Sequence, residues 1–465
     1  MTLGDTGLVN LVNLVTAVRA DDAVRVRALL RAAEQAAPEG RDADAPGADA
    51  PGADAPGAKA LDVDALGADG LSALDIAAVR GSYPVVDALR AHGARLDRIG
   101  PDGRTPLLRA VDAGAYAVTE LLMSSSVPLW PTGPDGRTAL ELARHWHEKG
   151  AENELRHRTG ATGPAEFSRV PDGEHSFTGL LRLPGTDAQV RTGHTAILCL
   201  LEAAHGIRAP FAELLARAET EADLQGVTRD AAVQVLYRRA DRENWQEAAA
   251  LRAHARPSVR HFGAEVVRCI ALFDACEEGG RCGDGHACVA EGARDLFLAW
   301  AACERAPEVL AVLLRGLPDC PALPRAALAE ALLPHARHPS AVVRRAVAGA
   351  FGGCGDEEGV LREVLEHLRD PDAEVRVQGC RALARQADRS RAVRNALRPL
   401  LADPSVEIQI EAVRALVLLH DPRGEEALDW LSNGYPEDAP GYWSLYDAHR
   451  HLRQKQDTGA RVGPG

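Results

Sequence analysis

Short apolar stripes at helical spacing recur in pairs along the first third of the chain. Leu74-Ala77-Ala78, Leu107-Ala110-Val111 and Leu140-Ala143 mark one helix of each pair, and Val85-Val86-Leu89 and Val118-Leu121-Leu122 mark the second, with Gly81 and Gly114 between them. Each first stripe follows a polar signature, Asp69-Gly70-Leu71-Ser72, Asp102-Gly103-Arg104-Thr105 or Asp135-Gly136-Arg137-Thr138, repeated at intervals of 33 residues. Asp-Gly predicts a tight turn with positive φ at the glycine. The Ser or Thr two places later is positioned to cap the helix, and Pro106 suits a first helical position. An opening pair of stripes, about 9–20 and 23–33, lacks the Asp-Gly signature and predicts a terminal capping pair.

The second half has its own period. Pro339…Val343-Arg344…Val347…Ala350-Phe351 is followed by Pro371…Val375-Arg376…Gly379…Ala382-Leu383 and Pro404…Ile408-Gln409…Ala412…Ala415-Leu416, with the prolines 32 and 33 apart. Weaker copies begin at Thr228-Arg229, Val259-Arg260 and Val309-Leu310, which makes six units. In Asp370-Pro371-Asp372 and Asp403-Pro404-Ser405, proline stops one helix and aspartate can cap the next. Arg344 and Arg376 are expected to bridge to the aspartate of an adjacent repeat, a structural role.

The first pattern resembles the ankyrin repeat, whose consensus runs D-x-x-G-x-T-P-L-H-x-A-A with a later G-A-D; Gly93-Ala94 carries the later element. Asp75, Leu108 and Glu141 stand at that family's histidine position, and Ser126 stands where a left-handed glycine is usual. The second pattern resembles the HEAT repeat, in which pairs of antiparallel helices stack into a superhelix. The combination, in a chain poor in Lys and rich in Ala and Arg, resembles repeat proteins of actinobacteria. The implied fold class is all-α, an N-terminal ankyrin-repeat solenoid followed by a C-terminal HEAT-repeat α-solenoid.

The expected organisation is a capping ankyrin unit at 1–36, a disordered APGAD-type insertion at 37–63 and ankyrin repeats at 64–160. A linker with a short hairpin follows at 161–190, then HEAT-like repeats at 191–455 with a loop insertion at 274–293, and a disordered tail at 456–465. No apolar run reaches the roughly 18 residues needed to cross a bilayer, and the first ten residues carry no signal-type pattern. Nine scattered cysteines do not form a disulfide framework and read as small core residues, so a cytoplasmic, monomeric protein is expected. A net charge of -14 argues against wholesale binding to nucleic acid or membrane.

Candidate chemistry is sparse. Cys276, Cys282, His286 and Cys288 fall in the 274–293 insertion and could ligate zinc, but they lack paired C-x2-C knuckles, and the Glu-, Gly- and Asp-rich context favours a solvated loop. His145-Trp146-His147 and His157 sit at the end of the last ankyrin unit, where a structural reading is favoured. No nucleophile elbow, P-loop, dinucleotide fingerprint or H-E-x-x-H is present, so no cofactor and no enzymatic activity are expected.

The remaining reading is a scaffold or adaptor that binds a partner protein on the concave faces of both arrays. On the ankyrin side the candidate contacts are Arg98, Arg104, Arg109, Arg137 and Glu141. On the HEAT side the rows of exposed second-helix positions supply Phe262, Arg315, Gln378, Arg381, Arg385, Glu411 and Arg414, with Arg381, Arg385 and Arg414 forming a basic strip. The alternatives are a HEAT-like enzyme of the DNA glycosylase or lyase type and a regulatory or self-associating subunit. For the latter, the aromatic cluster Trp430, Tyr435, Tyr442, Trp443 and Tyr446 is first read as a hydrophobic cap over the last repeat.

Overall fold

A computed structural model describes residues 4–35, 61–173, 175–239, 241–276, 292–320, 323–355, 357, 359–385, 390–436, 439 and 441–461. Most of the expected 37–63 insertion therefore lies outside the described residues. The chain divides into two compact units, residues 1–235 and 236–465.

In the first unit, helices α1 (Gly4–Arg19) and α2 (Ala23–Gln35) precede three further pairs: α3 (Ala73–Arg80) with α4 (Tyr83–Ala91), α5 (Pro106–Asp112) with α6 (Tyr116–Ser124), and α7 (Ala139–Lys149) with α8 (Ala151–Thr159). The 33-residue signature acts locally in each copy. Gly67, Gly100 and Gly133 donate their N–H groups to the carbonyls of Leu71, Arg104 and Arg137, closing a tight turn in which Gly70, Gly103 and Gly136 hold φ near +75°. Ser72, Thr105 and Thr138 then accept the N–H of the third helical residue. Asp75 and Glu141 complete capping boxes by returning to the N-cap N–H. Ser126 adopts the left-handed conformation, at φ 59°. The apolar stripes are buried as α3 packs on α5 and α5 on α7, with α2, α4 and α6 forming the second row.

The segment 161–190 is not a free linker. It forms a three-stranded antiparallel sheet with β1 (Glu166–Pro171), β2 (Phe177–Arg182) and β3 (Gln189–Arg191) in the order β1-β2-β3. Its turn carries buried Asp172, whose carboxylate accepts the N–H groups of Tyr116 and Ala117 at 3.2 and 3.0 Å and so caps α6. At the far end the Arg191 N–H donates to the Ala113 carbonyl. Gly114 has to be glycine there, because a Cβ would lie 2.1 Å from the Arg191 carbonyl oxygen. The sheet makes the fold mostly helical rather than purely α.

Helices α9 (His194–Ala204), α10 (Phe211–Ala218) and α11 (Val227–Arg239) follow. α9 packs on α6 and α7, and the first compact unit runs to residue 235, so the stretch expected as one array from 191 is divided between the two units. Periodicity alone could not separate these helices from the later ones, since both sets are Ala- and Leu-rich.

The second unit contains α12 (Arg242–Ala250), α13 (Pro257–Cys276), α14 (Ala293–Cys303), α15 (Pro307–Gly316), α16 (Arg325–Leu332), α17 (Ala341–Ala350), α18 (Val360–His367), α19 (Ala373–Arg385), α20 (Arg391–Leu397), α21 (Val406–Leu418), α22 (Pro422–Ser432) and α23 (Tyr442–Arg461). The inner helices α13, α15, α17, α19, α21 and α23 pack on one another in sequence, and α12, α14, α18, α20 and α22 each pack against the inner helix that follows them or lies beside them. α23 continues to Arg461, so the tail expected as disordered from 456 is helical up to that residue.

Candidate functional site

One side of the inner-helix row carries a repeated ion pair. Arg260 forks onto Glu304 at 2.8 Å through both nitrogens, Arg344 onto Asp370 at 2.7 and 2.9 Å, and Arg376 onto Asp403 at 3.1 and 3.3 Å. In each case the acid belongs to the next repeat, and the third guanidinium nitrogen donates to two carbonyls five and six residues back, such as those of Pro339 and His338. Arg344 and Arg376 are thus structural, as their motif implies. Leu310 breaks the series, and Gln409 reaches only the Asp403 carbonyl, so the ladder ends with α21. Burial raises the Glu304 pKa, but hydrogen bonds from Arg260, the Ala306 and Arg305 N–H groups and Trp300 outweigh it and lower it to about 2. Asp370 is likewise held below the usual carboxylate range, its burial outweighed by Arg344.

The proposed contact row two positions further on is largely internal. Phe262, Val312, Ala346 and Glu411 are buried and only Gln378 is half-exposed, because this register points between neighbouring inner helices. Phe262 is therefore core, and Glu411 is a buried acceptor for Arg381 at 3.0 Å and for the Ser444 hydroxyl at 2.8 Å. The next row, Glu265, Arg315, Gly349, Arg381, Arg414 and Asp447, does reach the surface. It is charge-matched: Arg315 pairs with Glu265 at 2.8 Å, and Arg414 with Asp447 at 3.0 Å. The expected basic strip is neutralised at Arg381 and Arg414, leaving Arg385, which is exposed and lies over Gly352 of the preceding repeat.

In the first unit the predicted contact residues are mostly spent on the fold. Arg109 is 6% exposed; it bonds Asp75 of the preceding repeat at 2.9 Å and Asp102 of its own turn at 2.6 Å. Arg98 donates to the Asp64 carbonyl, Arg104 to Asp112 at 2.8 Å and Arg137 to Asp135 at 3.0 Å, while Glu141 is occupied by its capping box. Arg109 is accordingly a buried inter-repeat tie, and of this group Arg137 and Glu141 keep substantial exposure.

Sequence reasoning missed a hub centred on Asp112. Its carboxylate accepts the Trp146 indole N–H at 2.9 Å and pairs with Arg104 and Arg158. The Arg158 guanidinium lies 4.4 Å over the Trp146 ring, whose other neighbour, His194, stacks at 4.3 Å. Burial depresses the His194 pKa to about 4. Beside the hub, a cleft of about 330 Å³ is lined by Trp146, His147, Asn153, Phe167, His194 and Thr195, among others, and His147 Nδ1 lies 2.9 Å from the Thr195 hydroxyl. His145 pairs with Glu154 at 3.0 Å. Only the His-Trp-His triplet signalled this region, since the partners are 34 to 48 residues away.

Cys276 is the last residue of α13, and Cys282, His286 and Cys288 lie outside the described residues. No helix among the described residues is long and apolar enough to cross a membrane.

No curated protein sequence matches the chain. Solved structures do match it, among them the X-ray structure of Escherichia coli YibA, at 18% identity and a TM-score of 0.37 over 53% of this chain and 93% of that one. Residues 361–442, which span α18 to the start of α23 and include the Arg376–Asp403 bridge, match the family model for HEAT repeats, so this part of the molecule carries HEAT repeats.

Proposed function

We propose that the chain is a protein-binding repeat scaffold whose partner docks on the half-exposed charged row of the HEAT-type inner helices. HEAT repeats generally mediate protein–protein interaction, and the observation that supports this reading is the in-register surface row of Glu265, Arg315, Arg381, Arg414 and Asp447 with Gln378 and Arg385 beside it. Mixed charge on a rigid frame, acids at both ends and arginines between, gives a partner orientation and register more than raw affinity. Residues 64–160 are read as ankyrin-type repeats on the strength of their 33-residue turn, cap and helix-pair geometry, with Arg137 and Glu141 as surface positions for recognition. No catalytic step is assigned to either unit.

The test uses the full chain with Arg315→Glu and Arg385→Glu, two exposed positions whose reversal leaves the buried Glu411 pairing intact. The partner captured by cross-linking from the native host should be lost or weakened by about tenfold, equivalent to roughly 1.4 kcal/mol. Unchanged capture of that partner by the variant, with an unchanged circular dichroism spectrum, would sink the assignment of this face.

A further inference from the structure

The stacking register of the inner helices defines a seam that is open on the outer face of α23. On α21, Ile410, Val413 and Val417 are buried against Leu445 and Ala448 of α23, with Leu452 beside them. The same register one repeat earlier, 33 residues back, holds Val377 and Cys380 on α19, also buried. One repeat later it holds Trp443, Tyr446 and Arg450 on α23. Trp443 is 72% exposed, Tyr446 44% and the Arg450 side chain 61%, and the two rings meet edge to face at 5.7 Å. The expected aromatic cap is thus made instead by Leu445, Ala448 and Leu452, and two of the aromatics face outward at positions where each preceding helix receives its successor.

We infer that a second copy of this chain stacks on this face, α23 against α23, across a two-fold axis. The seam continues an interface already used between α21 and α23, so a helix is the shape that fits it. Its sequence is self-complementary in the antiparallel sense. A two-fold axis passing between Tyr446 and Asp447 sets Trp443 of one copy against Arg450 of the other and the Tyr446 hydroxyl against the other copy's Asp447. The first contact is a cation over an indole ring, and in the second a phenol donates to a carboxylate. Both contacts occur twice, and the like-charged Asp447 pair is offset by the two Arg450 side chains.

Sedimentation velocity of the full-length protein over a concentration series from low micromolar to near-millimolar tests this directly. The wild type should shift from monomer to dimer with rising concentration. Trp443→Glu with Tyr446→Glu should hold it monomeric, and Arg450→Glu, which removes both symmetry-related cation–π contacts, should weaken association by about tenfold. Trp430→Glu, on α22, removes an equally exposed tryptophan outside the seam and should leave association unchanged. A wild type that stays monomeric throughout, as it would if a different protein covered the face, overturns the inference. So does a dimer that survives the double substitution, or one broken equally by Trp430→Glu.

Discussion

Residues 64–160 and residues 323–436 both stack helix pairs of about 33 residues, yet they hold their repeats in register by different means. In the first array the recurring contacts lie inside each repeat: the glycine turn, the Ser or Thr cap and the returning acid at 75 or 141. Ties between its repeats are individual, such as Arg109 to Asp75 or Trp146 to Asp112. In the second array the recurring contact itself spans two repeats, an arginine fork onto the next repeat's acid. A period read from a sequence can therefore mark either a local turn or a joint between neighbours, and the residue type tells which. In the first array the hydroxyls of Ser72, Thr105 and Thr138 reach only their own helix end, whereas Arg344 and Arg376 of the second span the distance to the next pair.

That contrast can be broken most forcefully at its ion pairs. Arg344→Ala leaves Asp370 mostly buried without its fork and should cost about 3 kcal/mol, read as lost hydrogen-exchange protection in α17 and α19. A cost no larger than that of losing one cap would remove the distinction between the arrays.

Acid should separate them next. His194 is buried neutral, so its folded pKa of about 4 lies below the unfolded value near 6.5. The stability tied to its neutral form is fully present above about pH 6.5 and falls away as pH drops to about 4, by up to about 3 kcal/mol. Exchange protection in α7 and α9 should decline over that window, and His194→Phe, which keeps the stack on Trp146, should flatten the decline. The Arg260–Glu304 fork runs on a lower scale: with Glu304 shifted from 4.5 to about 2, its contribution holds above 4.5 and is lost only as pH falls through that interval. If α13 and α15 loosened as early as α7, for reasons traceable to Glu304, this ordering would be wrong.

Two smaller effects sharpen the local side. Thr105→Ala deletes a cap without touching a neighbour and should cost about 1 kcal/mol, confined to α5 and its pair. Ser126→Gly should stabilise by about 1 kcal/mol, because the left-handed backbone there penalises any residue with a Cβ. A destabilised Ser126→Gly protein would mean that the serine side chain contributes more than its backbone costs.

The sequence by itself determined what depends on neighbours along the chain: the helix pairs, the two periods, the capped Asp-Gly turns and the bridging role of Arg344 and Arg376. Each of these is written within a dozen residues or repeated often enough to be seen. Tertiary structure alone decided which face of each helix meets another. A register two residues beyond Arg260 looks like surface when one helix is considered, yet in the stack it buries Phe262, Val312 and Ala346. Glu411 joins them with Arg381 and Ser444 both donating to its Oε1 and Arg414 3.7 Å from its Oε2. Arg109 was legible as a charge but not as a buried tie, since Asp75 lies 34 residues away. Of the strands at 166–191 the sequence shows only a short hairpin, because β1 is mostly exposed and carries no buried alternation, while the third strand and the attachment of the sheet to the helices through Asp172 and the Ala113–Arg191 backbone bond come from contacts far along the chain. Contacts between residues far apart in the chain leave no periodic trace, and it is these contacts that turned most of the proposed binding surface into structure and left Trp443 and Tyr446 facing solvent.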